Sequence, residues 1–169
     1  MMTSSKRLME ADAVIRRLPG GQRRTALVRQ AIEEIWNGGN LDLADQLFAP
    51  TYINHGGLIP DLVRGPEAIK VGVALYRAAF PEFRVTVLDL LAQGQTVAVR
   101  WEAQSTPSRA HVGGQGNGAS GRLSGMTFGR VARGRIMESW TIWEAGSGVG
   151  SQWRTFSAEA KPAFGRLTG

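Results

Sequence analysis

Hydrophobic residues in the first half of the chain recur at helical spacing. In TALVRQAIEEIW they return every three to five residues, which predicts a first core helix that starts at Arg23 and ends at the sequence NGG. LDLADQLFA predicts a short second helix that Pro50 ends, and GPEAIKVGVALYRAAF predicts a third that ends at Pro81. Between these two helices, the alternating aromatic and polar residues of TYINHGG predict a short strand.

After Pro81 the hydrophobic period changes to two. FRVTVLDLLAQ and TVAVRWEAQ, joined by GQ, predict a hairpin in which Val97, Val99 and Trp101 share one face. GMTFGRVARG and RIMESWTIWE predict a second hairpin that turns at residues 132–134, ARG. Three helices followed by antiparallel strands predict an α+β fold.

Three segments fall outside this pattern. Residues 1–22 predict an extension with a loosely attached helix that PGGQ ends, and residues 151–169 predict a C-terminal tail. The glycine-rich stretch SRAHVGGQGNGASGRLSG, which contains residues 112–125, is too long for a minimal turn and predicts a mobile loop or lid. A chain of 169 residues suits a single core, so we expect one domain over residues 23–150.

The composition narrows the chemistry. Without cysteine the chain forms no disulfide, thiolate nucleophile or iron–sulfur site, and its two histidines lack metal-site spacing, so we expect no metal or other cofactor. The net charge of +6 is spread along the chain as arginines, which does not favour a nucleic-acid partner. No apolar run reaches the roughly 20 residues that span a bilayer, and the N-terminus lacks the apolar stretch of a signal peptide. We therefore expect a cytoplasmic protein that does not enter a membrane.

Three segments, in this order, resemble the SnoaL-like polyketide cyclase family of the NTF2-like superfamily: GNLDLADQLFAPTYINH, RGPEAIKVGVALYRAAFPEFRVTVLDLLAQGQTVAVRWEAQ and FGRVARGRIMESWTIWE. The most specific pieces are AFPEF, AQGQTVAVRW and RVARGRIMESW. The resemblance implies an NTF2-like, or cystatin-like, cone in which three helices pack on a strongly curved antiparallel sheet. It also implies a pocket for a small hydrophobic substrate, and a homodimer formed through the sheet.

The chain departs from the family pattern at two places. Family cyclases usually carry an aspartate four residues after the strand tryptophan, whereas this chain has Glu144 at that distance from Trp140. The GTH-type turn that often follows the central strand is here STPSRAHVGG. Glutamate at this position resembles the branch that closes cyclic ethers by attack of a hydroxyl on an epoxide, where a tyrosine matching Tyr52 also serves.

Glu144 is the leading candidate for proton transfer. Strand alternation along RIMESWTIWE predicts one face made of Ile136, Glu138, Trp140, Ile142 and Glu144. If this face lines the cone, burial raises the pKa of Glu144 until one carboxyl group can both accept and donate a proton. The alternative is that Glu144 is solvated or paired with an arginine. We expect Glu138 to pair with Arg100 or with an arginine on the neighbouring strand.

The remaining candidates are aromatic residues, histidines and a methionine. Tyr52 is a candidate hydrogen-bond donor to a developing alkoxide, and His55 a candidate base or carbonyl-orienting group. Alternatively, Tyr52 packs in the core and His55 caps backbone groups. The candidate substrate-binding residues are Trp140, Trp101, His111, Phe80 and Met126.

These observations predict a cofactor-independent acid–base cyclase of secondary metabolism that acts on a polyketide or prenylated aromatic intermediate. Epoxide opening to a cyclic ether is preferred over aldol condensation because of Glu144. The alternatives are a non-catalytic protein that binds small molecules, and a cofactor-independent hydroxylase or dehydratase.

Overall fold

The computed structural model describes residues 13–15, 18–56, 63–79, 82–105 and 121–145. Over these residues the chain has the predicted α+β order, with helices first and a five-stranded sheet after them. The helical segments are α1 (Gly20–Gln30), which continues as a π-helical segment (Ala31–Asn37), a 3-10 turn (Leu41–Leu43), α2 (Ala44–Leu47) and α3 (Pro66–Ala79). The strands are β1 (Phe48–Asn54), β2 (Arg84–Gln93), β3 (Thr96–Ser105), β4 (Gly121–Ala132) and β5 (Arg135–Ala145).

The sheet has the strand order β1-β5-β4-β3-β2. Both predicted hairpins are present, as β2 with β3 and as β4 with β5. The sheet is antiparallel, as predicted, except at one edge, where β1 pairs with β5 in the parallel direction. As an edge strand, β1 accommodates Pro50, which has no backbone N–H to donate to a neighbour.

The first core helix is held by the residues that its periodicity predicted. Leu27, Ala31 and Ile35 are buried, and the helix ends before Gly39, whose φ of +71° suits glycine. The helix starts at Gly20, earlier than the predicted start at Arg23. At its other end the side-chain amide of Asn37 donates to the carbonyl of Val85 at 2.8 Å and accepts from its N–H at 2.7 Å, which ties the helix to β2.

Two boundaries differ from the predictions. The second helix was predicted to run through Ala49, but β1 already begins at Phe48, consistent with the extended backbone that Pro50 favours at the residue before it. Residues 121–125, predicted as part of the glycine-rich loop, form the start of β4 and pair with the end of β3. Residues 106–120 of that loop lie outside the described residues.

A β-bulge in the last hairpin decides which side chains of β5 face inward. Val131 pairs with Ile136, while the preceding Arg130 pairs with Glu138, so one extra residue lies in β5. Because the side-chain period of a strand is two, this extra residue reverses the faces of all later positions. The prediction that Ile136, Trp140 and Ile142 share a face is therefore wrong: Ile136 is buried, while Trp140 is 43% and Ile142 78% exposed.

The chain ends are described only in part. Of the predicted extension, residues 13–15 are helical and residues 18–22 include the first turn of α1. The tail at 151–169 lies outside the described residues. No helix among the described residues is both long and apolar enough to cross a membrane.

Candidate active site

The inner face of the sheet, together with α1 and α3, surrounds a cavity of about 160 Å³. An engineered protein cavity of about 150 Å³ binds benzene, so this volume takes roughly one six-membered ring. Aliphatic side chains of β2, β3, β4 and β5 and of α1 and α3 form much of the wall, and β1 adds aromatic and polar side chains. The aromatic lining residues are Trp36, Phe48, Tyr52, Tyr76, Phe83, Trp101 and Trp143.

A first group of polar side chains lies where β1 and β5 run side by side. The hydroxyl of Tyr52 is 2.6 Å from Oγ of Ser139, and Ser139 donates to Oδ1 of Asn54 at 3.5 Å. Oδ1 of Asn54 only accepts, so the hydroxyl hydrogen of Ser139 is directed to it and Tyr52 donates to Ser139. The hydroxyls of this group are thereby satisfied within the protein.

The amide of Asn54 is the donor that this group leaves for a ligand. The backbone N–H of Gly56 also donates to Oδ1 of Asn54, at 3.2 Å, and this fixes which end of the amide is oxygen. Nδ2 of Asn54 has no hydrogen bond to any described residue, and Asn54 lines the cavity. Asn54 therefore offers N–H donors beside an apolar wall.

A second polar group joins β3, β4 and β5. The indole N–H of Trp101 donates to Oγ1 of Thr127 at 3.0 Å, and Oγ1 of Thr127 is 2.9 Å from Oγ1 of Thr141. The two threonines have two hydroxyl hydrogens and share one hydrogen bond. One hydroxyl hydrogen is therefore left without a partner among the described residues, and both threonines line the cavity.

Tyr52 donates its hydroxyl hydrogen to Ser139 and is not a base. Burial raises the pKa of Tyr52 to about 12, although the hydrogen bond with Ser139 lowers it in part. The phenol is neutral at physiological pH and holds its proton. No described residue that lines the cavity carries a charge, so the described wall supplies hydrogen-bond donors and no carboxylate.

Comparison with known proteins identifies the family of this chain. A model of the SnoaL-like polyketide cyclase family matches residues 26–147 of the chain. This chain belongs to that family. Its fold is the SnoaL-type, NTF2-like fold that the sequence predicted.

Solved structures support the assignment of this SnoaL-like chain. IdmH from Streptomyces antibioticus, proposed to be a polyketide cyclase, is 28% identical, with a TM-score of 0.64 over 72% of this chain and 91% of its own. A proposed polyketide cyclase from Acidithiobacillus ferrooxidans is 26% identical, with a TM-score of 0.62 over 78% and 95%.

A third structure shares the fold alone. AclR from Streptomyces galilaeus, a proposed hydroxylase, is 20% identical, with a TM-score of 0.58 over 72% of this chain and 78% of its own. Among curated proteins, none matches the sequence of this SnoaL-like chain.

The structure places His55 outside the cavity of this SnoaL-like protein, contrary to the prediction of a pocket residue. Its ring stacks on Trp140 at 4.9 Å between ring centroids, and its Nε2 is 3.3 Å from Oε2 of Glu138. Arg130 of the neighbouring strand holds the other oxygen of Glu138, which confirms one of the two predicted pairings. The hydrogen bond from Arg130 is the largest cause that lowers the pKa of the Glu138 carboxyl, and the hydrogen bond with His55 lowers it further.

The other predicted site residues divide between the two faces. Trp101 lines the cavity, as predicted. Trp140 and Met126 lie on the outer face, 43% and 45% exposed, because the β5 bulge and the register of β4 turn them outward. Phe80 and His111 lie outside the described residues.

For Glu144 the structure describes the backbone, which pairs with Ser124 and directly follows the cavity-lining Trp143. Strand alternation therefore gives position 144 to the outer row of β5, with Trp140 and Ile142, and not to the face that lines the cavity. The Glu144 side chain lies outside the described part of the chain, and its role in proton transfer remains a prediction.

Sequence reasoning missed four polar residues of the cavity: Asn54, Thr127, Ser139 and Thr141. Each is a small polar residue inside a strand, where it is easily interpreted as part of the solvent-facing alternation. Once the bulge is known, Ser139, Thr141 and Trp143 form one inward row of β5. The alternation of RIMESWTIWE already contained this row, but the prediction assigned the opposite set of residues to the inner face.

Proposed function

We propose that this protein is a cofactor-independent cyclase of the cytoplasm that closes a ring within a polyketide or prenylated aromatic intermediate. The observation that carries the proposal is the pair of donor positions, Asn54 and the Thr127–Thr141 pair, inside an otherwise apolar cavity. Donors in a water-poor site stabilise negative charge that develops on a substrate oxygen far better than they do in water. Membership of the SnoaL-like family supports the same class of reaction.

The cavity favours catalysis by positioning. Its aromatic walls suit a planar ring of the substrate, and the two donor positions fix oxygens that flank that ring. A flexible chain held in a reactive pose can gain about 7 kcal/mol or more of barrier lowering from this alone. Little further machinery is required.

Epoxide opening is the specific reaction that we propose. A substrate hydroxyl oxygen attacks an epoxide carbon, so a new C–O bond forms while the C–O bond of the epoxide breaks. The hydroxyl proton passes to the alkoxide that is released, so the product is an isomer of the substrate. Asn54 donates a hydrogen bond to the epoxide oxygen as negative charge develops on it, and the threonine pair holds a second substrate oxygen.

Mass spectrometry of metabolites from the native host tests this proposal. The host would carry wild-type protein, Glu144→Gln, Asn54→Leu, or Glu102→Gln as a control that makes the same chemical change on β3. Accumulation of an isomer of the normal product in Asn54→Leu, and not in the control, supports epoxide opening, and the same accumulation in Glu144→Gln would support proton transfer by Glu144.

Other outcomes would overturn the proposed reaction. An intermediate that differs from the product by water indicates aldol closure with dehydration, and a difference of one oxygen indicates a hydroxylase. Unchanged metabolites in both Glu144→Gln and Asn54→Leu would favour a protein that binds a small molecule without converting it.

We also propose that the protein is a homodimer formed through the outer face of the sheet. Exposed apolar side chains lie in two neighbouring rows there: Leu91, Phe128 and Trp140 in one, Met126 and Ile142 in the other. One ion pair flanks these rows on each side, Asp89 with Arg100 on one and Glu138 with Arg130 on the other. A two-fold interface needs such a self-complementary surface.

Sedimentation of the full chain tests the dimer. We expect a dimer at micromolar concentration and a monomer after Ile142→Glu, which places a charge on the most exposed apolar residue of the face. A wild-type monomer would contradict the proposal. Leu75→Glu, the same kind of change at an exposed apolar residue of α3, serves as the control.

A further inference from the structure

A second concavity lies between α1, α2 and the turn that joins β4 to β5. It is a groove of about 730 Å³, and none of its lining residues also lines the candidate active site. Its floor consists of buried apolar side chains: Leu27, Leu43, Leu47 and Val131. Four arginines line it as well: Arg23, Arg24, Arg133 and Arg135.

Three of the four arginines of this arginine groove have no acidic partner among the described residues. No described lining residue is acidic. No carboxylate of a described residue lies within ion-pair distance of Arg24, Arg133 or Arg135. Arg135 donates instead to the backbone carbonyls of Asp45 and Phe48, at 2.7 and 2.8 Å, which fixes its position but leaves its charge unpaired.

Arg133 occupies a backbone position that does not suit arginine. Arg133 and Gly134, the two central residues of the hairpin turn, have φ values of 52° and 73°. Two-residue turns with positive φ at both positions favour asparagine followed by glycine, because Cβ lies close to the following carbonyl oxygen there and only a short polar side chain compensates by local hydrogen bonds. The strained turn therefore presents a fourth guanidinium to the groove at a cost in folding stability.

We propose that the arginine groove is a second binding site, for an amphiphilic organic phosphate whose apolar part lies on the leucine floor. Guanidinium groups present paired N–H donors that match phosphate oxygens in geometry as well as in charge. The groove volume lies within the range of about 300–1,000 Å³ that small-molecule sites span. An apolar part of the ligand is itself removed from water when it packs on this floor, a gain that an anion without an apolar part does not have.

Titration calorimetry of the full chain tests this with three probes: octyl phosphate, inorganic phosphate and octanol. We expect octyl phosphate to bind at least about tenfold more tightly than either of the others, because only it uses both the arginines and the floor. The test variant is Arg24→Gln combined with Arg133→Asn, and the control is Arg84→Gln on β2. The double variant should weaken octyl phosphate at least about tenfold, since charge-assisted hydrogen bonds are lost, and the control should leave it unchanged.

Arg133→Asn keeps the test independent of folding, because asparagine suits the turn and should raise the thermal unfolding midpoint while binding weakens. Equal binding of octyl phosphate by wild type and the double variant would overturn the proposal and would indicate binding in the apolar cavity instead. If inorganic phosphate bound as tightly as octyl phosphate, the proposal that the ligand has an apolar part would be wrong. Binding to phosphatidate vesicles without binding to monomeric octyl phosphate would replace it with a membrane contact.

Discussion

Removal of the hydroxyl of Ser139 should destabilise the folded protein through its buried partner. Tyr52 is 1% exposed and Ser139 9%, and their oxygens are 2.6 Å apart. Ser139→Ala leaves the phenol of Tyr52 buried without its hydrogen-bond partner, which should lower the free energy of unfolding by about 1–3 kcal/mol. Tyr52→Phe leaves Ser139 with Asn54 as a remaining partner, so the loss should be smaller, about 0.5–1.5 kcal/mol.

The double variant shows whether the two hydroxyls act together. With both polar groups removed neither is left unpaired, so the combined loss should fall short of the sum of the single losses by about 1 kcal/mol. The measurement is urea unfolding at neutral pH, followed by the fluorescence of the five tryptophans. Equal m-values across the set would show that the variants change stability and not the denatured state.

A coupling free energy of zero in this cycle would refute the reasoning, since it would mean that Tyr52 and Ser139 do not share a hydrogen bond in the folded protein. Thr96→Ala provides the control. Thr96 is an exposed hydroxyl residue on β3, so its loss should change the free energy of unfolding by less than about 0.5 kcal/mol.

Three further predictions follow from single sites. Burial raises the pKa of both Tyr52 and Tyr76 to about 12, so ultraviolet titration of the folded protein should show little phenolate near pH 10. The stability that the neutral phenols contribute below pH 10 should be lost as the pH rises through 12. Normal titration near pH 10 in the folded protein would contradict this. Gly56→Ala should lower the free energy of unfolding in urea by about 1–3 kcal/mol, because a Cβ at this position would lie 2.5 Å from a backbone oxygen of β5. Gly72→Ala is the control: its Cβ would meet nothing within 4 Å, so the change should stabilise α3. Equal effects of the two changes would count against the close approach at Gly56. Arg133→Asn should raise the free energy of unfolding by about 1 kcal/mol, and a loss would argue against a strained turn.

The helices and hairpins could be predicted because their signals are local. The burial of Leu27, Ala31 and Ile35 follows from their spacing alone, and the turn at Arg133 and Gly134 follows from the residues that it joins. The periodicity of a segment is set by its own contacts with the core. Fold class therefore required no knowledge of distant residues.

The face of β5 could not be predicted because it depends on one extra residue. The bulge lies between Ile136 and Glu138, where Met137 carries none of the features by which glycine or asparagine mark an irregular strand. A shift of one residue reverses every later side chain. Trp140 therefore faces outward, and Ser139 takes the inward position that alternation had assigned to its neighbours.

The polar groups of the cavity depend on pairing between distant segments. Asn54 and Ser139 are brought together by the parallel alignment of β1 with β5, whose residues are 85 positions apart. No local pattern distinguishes this edge pairing from the alternatives. The family resemblance indicated a pocket, but the donors inside it became visible only with the register of the sheet.

The most direct test of the central claim is a turnover assay with purified protein and the intermediate that accumulates in the host when the protein is absent. The account predicts conversion to an isomer of equal mass, with kcat lowered about 100-fold or more in Asn54→Leu because a donor to the developing oxyanion is lost. Conversion by Asn54→Leu at the wild-type rate, or binding of the intermediate without conversion by the wild-type protein, would contradict it.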